Sequence, residues 1–261
     1  PFLRTEYGNP SAIHTEGQDA RSAIEEARVE VAQALQVRPE FVTFTGGGTE
    51  ANNLAIVGTI DSLLHRGVSY VDMSIITTRI EHPSVSKTLA RYAALGIEIL
   101  FANVNEHGMI NISSLKGLFS KKTILVSLAY ANSEIGVVQP LHAIKKSIKE
   151  AEQTFSSTIV FHVDAAQAPL WLNCQFDSVG ADLLALDTLK CGGPKGTGIL
   201  VQSRRSRIVA INGGGGQENG LRPGTENVPG IVGAGVALRL AQSSWRERAE
   251  ATVIVRDAGI T

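Results

Sequence analysis

Five short stretches carry residues able to do chemistry together. Lys190 lies in Leu186-Asp187-Thr188-Leu189-Lys190-Cys191-Gly192-Gly193-Pro194-Lys195-Gly196, directly after an apolar run. An amine at the end of a buried strand can act as a nucleophile toward a carbonyl carbon. Lys195, beyond the Gly-Gly-Pro, reads as an ordinary surface lysine beside a turn. Asp164 closes the apolar run Phe161-His162-Val163-Asp164. A carboxylate in a partly dry place is costly unless it meets a cation or strong donors; the alternative is that it caps the next helix. Gly46-Gly47-Gly48-Thr49 separates a strand pattern from a helix pattern. Bare amides at a helix start, with a hydroxyl beside them, suit an anion such as a phosphate. A plain glycine turn with Thr49 as helix cap is the competing reading. Neither the GK[ST] of a P-loop nor the GxGxxG of a dinucleotide fold is present. His82, in Glu81-His82-Pro83, can stack on an aromatic group, shuttle a proton or cap a helix. Asn132 can bind a carboxylate or make a turn.

The intervening sequence explains how such residues would meet. Ala20, Ile24, Ala27, Val31 and Leu35 recur at helical spacing. Strands are expected at 41–45, 74–78, 97–104, 123–129, 158–163 and 182–186, and helices at 49–65, 83–95, 113–119 and 141–155. Most of the strands are continuous apolar runs, as in strands covered on both faces. Their alternation with helices predicts an α/β chain, a three-layer αβα sandwich with a mostly parallel sheet. Ligands of such sheets gather at the carboxyl ends of the strands. A further strand at 198–202, after a short turn, is expected to run antiparallel. A loop is expected at 211–224 and a long helix at 228–251.

Composition narrows the function. Hydrophobic residues make up 43% of 261, enough for a substantial core, and the formal net charge is −1 with acids and bases interspersed. That argues against a nucleic-acid groove or a membrane-surface patch. No apolar run reaches a membrane span. The two cysteines, Cys174 and Cys191, have no metal spacing; free thiols in a reducing, cytoplasmic setting are expected. The start at Pro1, with neither initiator Met nor signal peptide, reads as a chain with residues missing upstream.

Seven stretches, in order along nearly the whole chain, resemble the cysteine desulfurases of the class V aminotransferase group, fold-type-I enzymes that use pyridoxal 5′-phosphate. They are Tyr7-Gly8-Asn9-Pro10-Ser11, Gly48-Thr49-Glu50-Ala51-Asn52-Asn53, Glu81-His82-Pro83, Asn132-Ser133-Glu134-Ile135-Gly136-Val137, His162-Val163-Asp164-Ala165-Ala166-Gln167, Lys190 with Gly193-Pro194-Lys195-Gly196, and Arg222-Pro223-Gly224-Thr225-Glu226-Asn227. The resemblance implies that Lys190 holds the cofactor as a Schiff base. His82 would stack on the ring and help move protons, and Asp164 would face the ring nitrogen. Gln167 would bond the phenolic oxygen, and Gly48 and Thr49 would hold the phosphate. Asn132 would lie near the substrate carboxylate. Thr225 would reach the cofactor phosphate of the other subunit of a homodimer. It implies removal of sulfur from L-cysteine, leaving alanine, with the sulfur passing through an enzyme persulfide to an iron–sulfur scaffold, a tRNA thiolation route or another sulfur-acceptor protein.

The chain departs from the family pattern in four ways. Asp187-Thr188-Leu189-Lys190 stands where the family has Ser-x-His-Lys. A carboxylate at the phosphate end of the cofactor would repel it by roughly 4 kcal/mol per unit charge at ~4 Å and an effective dielectric near 20; Thr188 could donate instead. Gly48 replaces an alanine. The usual N-terminal Asp-x-Ala-Ala-Thr segment is absent. The persulfide cysteine and the arginine that grips the substrate carboxylate are expected beyond Thr261. The implied layout is an N-terminal segment 1–13, a cofactor-binding large domain 14–235, and 236–261 as the helix leading into a small domain that is mostly absent. The alternatives are another class V member, a selenocysteine lyase or an aminotransferase, and a catalytically silent partner protein, for which Asp187 and Leu189 are the hints.

Overall fold

The computed structural model describes residues 1–260. A seven-stranded sheet is built from β1 (Val42–Thr45), β2 (Ser74–Thr77), β3 (Glu98–Phe101), β4 (Thr123–Ala129), β5 (Val160–Asp164), β6 (Leu183–Asp187) and β7 (Gly198–Gln202), in the order β1-β7-β6-β5-β4-β2-β3. β7 pairs antiparallel with both β1 and β6, and the other neighbours are parallel. The antiparallel strand and the mostly parallel sheet follow the sequence pattern. β3 is shorter than expected, four residues at the sheet edge, because only β2 offers it hydrogen bonds.

The helices cover both faces. α1 (Thr15–Leu35), α4 (Ile112–Leu118), α5 (Leu141–Phe155) and α7 (Val228–Ser243) cover one side, where Ile76, Val126, Phe161, Val163, Leu184 and Ile199 form the main core. α2 (Gly48–Leu64) and α3 (Pro83–Ala93) cover the other, over Ile75, Leu125, Leu183 and Leu200. Successive strand residues point to opposite faces. Hence the α2/α3 face changes character toward the carboxyl ends: Leu125, Ser127 and Ala129 on β4, and Val160, His162 and Asp164 on β5, which pair in register. The rows run from apolar to polar, ending where ligands are expected to collect.

α1 buries the stripe read from the sequence, Ala20, Ile24, Ala27, Val31 and Leu35, and with it Arg28. Gly235 of α7 lets that helix close on α1, since a Cβ there would come within 3.2 Å of the Ala27 backbone. The single helix expected over 228–251 is two: α7 ends at Ser243, and α8 (Trp245–Ile260) follows. Ser244 is the break, at φ −134° and ψ 21°. The side chains around it favour the bend: Gln242 donates to the Pro169 and Leu172 carbonyls, and Arg248 donates to the Leu170 carbonyl and the Ser244 hydroxyl. α6 (Phe176–Val179) is a single turn before β6.

Candidate active site

A cavity of about 500 Å³ opens at the carboxyl ends of β2, β4, β5 and β6, beside the first turns of α2 and α3. Gly48, Thr49, His82, Asn132, Asp164, Gln167, Asp187 and Lys190 all line it. Eight of the nine residues singled out from the sequence thus share one space, drawn from segments more than a hundred residues apart. Thr225 does not line it; its side chain is exposed, beyond the loop that carries Arg222. A larger hollow, about 640 Å³, lies between α1 and residues 216–219, but its innermost charges, Arg28 and Glu218, pair with each other.

Asp164 is the last residue of β5, held between Ala129 and Ala185 of the neighbouring strands. Its Oδ1 accepts from the Ala166 amide at 3.0 Å and its Oδ2 from Asn52 Nδ2 at 2.7 Å. No ion pair reaches it among the described residues. Burial pushes its carboxyl above the ordinary value, against the pull of those two donors. Glu81 is a second enclosed acid. Its Oε1 accepts from the Thr78 hydroxyl and its Oε2 from the Ala129 amide at 2.8 Å. Burial first, with the nearby Asp164 charge adding, raises it to about 8. Two carboxyl groups therefore sit at the cavity floor with hydrogen-bond donors but no ion-pair partner among the described residues, a set suited to a positively charged or protonated ring nitrogen.

The glycine turn is built for close approach. Gly47 has φ +150°, and α2 begins at Gly48, so the first amides of the helix stay free of intrahelical partners. The Ala51 amide is the first to bond back, to the Gly47 carbonyl. Glu50 is committed elsewhere: Oε2 takes the Gly46 amide at 2.7 Å and Oε1 pairs with Arg222 at 2.9 Å. Asp187 stands against this turn. A Cβ on residue 48 would lie 2.9 Å from the Asp187 Cβ and 3.3 Å from its Oδ2. Glycine at 48 is what lets the strand end and the helix start come this close, and the carboxylate comes with it.

Lys190 rides on a short turn, Thr188–Cys191, capped by Asp187 Oδ1, which accepts from the Leu189 amide at 3.1 Å. Gly192, at φ +84°, ends the turn. Thr188 is a correction to the sequence reading: its hydroxyl donates inward to the Thr197 carbonyl at 2.7 Å and is buried, so it does not replace a phosphate donor. Cys191, beside Lys190, is buried with its thiol against the Thr188 carbonyl, and burial raises it to about 11. Cys174 is buried too, its thiol pushed further up by the same cause.

His82 caps α3, where Pro83 is favoured at the first position; its Nδ1 accepts from the Ser84 amide at 3.1 Å. The turn reading of Asn132 holds: Oδ1 accepts from the Glu134 and Ile135 amides, and Nδ2 donates to the Ile80 carbonyl. Three polar residues went unassigned in the sequence. Asn52 and Ser84 are buried and bonded to each other, and Glu81 lies beside His82 with its carboxyl turned into the cavity wall. Asn52 was findable: it lies three positions after Thr49, on the helix face that turns with it toward the site.

The chain matches the aminotransferase class-V family over residues 1–253. It is 39% identical to "Cysteine desulfurase IscS" of Dictyoglomus turgidum over 98% of its length, and 37% identical to "Putative cysteine desulfurase IscS 1" of Bacillus subtilis over 96%. It spans 62% and 63% of those two proteins, less than two-thirds of either. Among solved structures it resembles a "NIFS-LIKE PROTEIN" with TM-score 0.87 and 34% identity, covering 94% of this chain and 64% of that one. It also resembles "SspA in complex with cysteine", with TM-score 0.83 and 35% identity, over 91% and 66%.

Proposed function

The chain belongs to the aminotransferase class-V family, whose members depend on pyridoxal 5′-phosphate, and from that premise we propose that it is the cofactor-binding part of a cysteine desulfurase. The observation that carries this reading is Asp164: an enclosed carboxyl with donors but no ion pair among the described residues, facing the same cavity as a lysine amine and a glycine turn. These residues fit the cofactor. Lys190 would hold its aldehyde carbon, Asp164 would serve its ring nitrogen, and Gln167 its phenolic oxygen. The amide of Gly48 and the hydroxyl of Thr49 would take the phosphate, and His82 would lie over the ring. Bound there, the cofactor supplies an electron sink that lowers the cost of breaking a bond beside the substrate nitrogen.

The rest is done by the protein. The enclosed carboxyl at the floor would favour a protonated ring nitrogen, since a cation there relieves the burial of Asp164. The turn Thr188–Cys191 keeps the Lys190 amine at the mouth, within reach of the substrate. The Asn132 turn shapes the side where a substrate carboxylate enters. L-Cysteine is the proposed substrate and L-alanine the product. Both cysteines described are buried with raised thiols, so the sulfur acceptor is proposed to be another, mobile thiol, from which sulfur passes to an iron–sulfur scaffold or another acceptor protein. Thr225, exposed and outside the cavity, is proposed to serve the phosphate of a second subunit in a homodimer. No helix described is long and apolar enough to cross a membrane, and a cytoplasmic setting is proposed on the free thiols.

A second reading has one observation in its favour. The Asp187 carboxylate against Gly48 weakens an anion cradle, as a silent partner protein would tolerate. Borohydride reduction of the protein with added pyridoxal phosphate, followed by peptide mass mapping, separates the two. A label on Lys190 is expected. No label, or a label confined to Lys195, overturns the enzyme reading.

A further inference from the structure

His82, Ser84 and Asn52 form one hydrogen-bond chain that ends on Asp164, and the atoms it joins fix the direction of every bond. Asn52 Nδ2 lies 2.7 Å from Asp164 Oδ2 and 2.9 Å from Ser84 Oγ. Turned over, the amide would set its carbonyl oxygen against a carboxylate oxygen, two acceptors facing each other, so Nδ2 stays where it is. Both of its N–H groups are then spent. Ser84 Oγ accepts one of them, and its own proton goes to its other partner, His82 Nδ1, at 2.7 Å. The Ser84 backbone amide, which can only donate, reaches the same Nδ1 at 3.1 Å. Nδ1 is an acceptor twice over, and the neutral ring carries its proton on Nε2.

The inner part of the chain is enclosed, and His82 at its outer end is fixed by the helix start. Asn52 is 1% exposed and Ser84 6%. His82 is the cap of α3 and is followed by a proline, so the start of that helix sets the ring's direction. Asn52 Oδ1 has no hydrogen-bond partner among the described residues. A buried amide left half-satisfied costs stability, so the two bonds made by Nδ2 are the feature that Asn52 contributes.

We infer that Asn52 and Ser84 are positioning residues that hold His82 as the Nε2–H tautomer, so that this imidazole offers the cavity a proton donor and not a lone pair. The tautomer follows from the ligand-free geometry alone; its consequence rests on the proposed function. A ring that already donates from Nε2 cannot take a proton there, and its other nitrogen is occupied by Ser84. His82 then faces the cavity as a proton donor, and proton acceptance beside the substrate falls to a group other than its ring.

The test needs no cofactor. Long-range proton–nitrogen NMR on ligand-free protein with nitrogen-15 histidine, at mildly alkaline pH where an ordinary imidazole is neutral, reads the tautomer directly. The His82 peaks are those lost in His82→Gln. A single pattern is expected, with Nδ1 unprotonated and Nε2 protonated. Ser84→Ala removes the hydroxyl donor and moves the Nδ1 resonance toward that of an unbonded ring nitrogen, while Ser84→Thr restores it. Unshifted peaks from the other five histidines show that a variant has folded. A proton on Nδ1 in the unaltered protein, or an Nδ1 resonance that ignores Ser84→Ala, overturns the inference. Either result leaves the Lys190 labelling outcome untouched, and a failed label leaves this one untouched.

Discussion

Two places in this molecule enclose carboxyl groups, and they solve the problem in opposite ways. Between α1 and the loop at 216–220, Glu218 pairs with Arg28 through two bonds of 2.8 Å, and Glu218 also accepts from the Phe44 amide at 2.7 Å. Arg28 gives a further bond to the Val42 carbonyl. Arg28 and Glu218 complement each other, and against the burial that lowers it the guanidinium is held above its ordinary value by Glu218 and, further out, Glu25. At the strand ends, Asp164 and Glu81 have hydrogen-bond donors but no ion pair among the described residues, and both are pushed upward by burial. A closed set of charges holds structure: Glu218 ties the glycine-rich loop to the first helix and the first strand. An open set, with acids waiting for a positive partner, marks a site.

The largest effect that would break this comparison lies in the closed pair. Glu218→Ala takes the buried partner from Arg28, leaving it the exposed Glu25 and the Val42 carbonyl, and is expected to cost about 3–5 kcal/mol of stability, read as a shift of the urea midpoint at constant slope. A loss below about 1 kcal/mol would mean that the pair is not closed at all. The second effect lies in Glu81. In the folded protein it stays protonated from its ordinary 4.5 up to about 8, whereas the unfolded chain gives up the proton at the lower value. The folded state then binds more protons over this window, so stability falls as pH rises, with a limiting slope of about 1.4 kcal/mol per unit for one group. Glu81→Gln should flatten that decline between about pH 5 and 8; an unchanged profile would show that Glu81 is ionised in the fold.

Smaller still is the stability effect of Asp164→Asn, expected at about 1–3 kcal/mol, because it strands no charge but sets an amide N–H against one of the two donors that Asp164 accepts, the Ala166 amide or Asn52 Nδ2. The same variant should weaken pyridoxal phosphate binding about tenfold or more, read by titrating cofactor absorbance. A large stability loss with unchanged affinity would reverse the roles of the two places. The smallest change concerns the thiols. Cys191, raised to about 11, and the more deeply buried Cys174 should resist alkylation in the folded protein and react together once urea unfolds it. Rapid labelling of Cys191 in the native state would argue for a mobile turn at Lys190.

Local pattern made much of this legible. The α1 stripe, the apolar strands and the glycine turn are repeats and breaks within a few residues of one another, and backbone sterics read them locally. The residues at the strand ends were legible because a polar residue that closes an apolar run has few places to point. The break at Ser244 was not, because it depends on Gln242 and Arg248 reaching the carbonyls of residues 169–172. Nor was the inward turn of Thr188, whose acceptor, Thr197, comes to it only through the pairing of β6 with β7.

The amino-acid order by itself determined the alternation of strands and helices, the nature of the sheet and which side chains end its strands. Only the tertiary structure decided their partners: Arg28 with Glu218 across 190 positions, Asn52 with Asp164 across 112, and Asp187 against Gly48. The reason is range. Periodicity and steric preference act over a turn or a pleat, whereas a hydrogen bond or a buried charge answers to whatever atom the packed chain brings within about 3 Å of it.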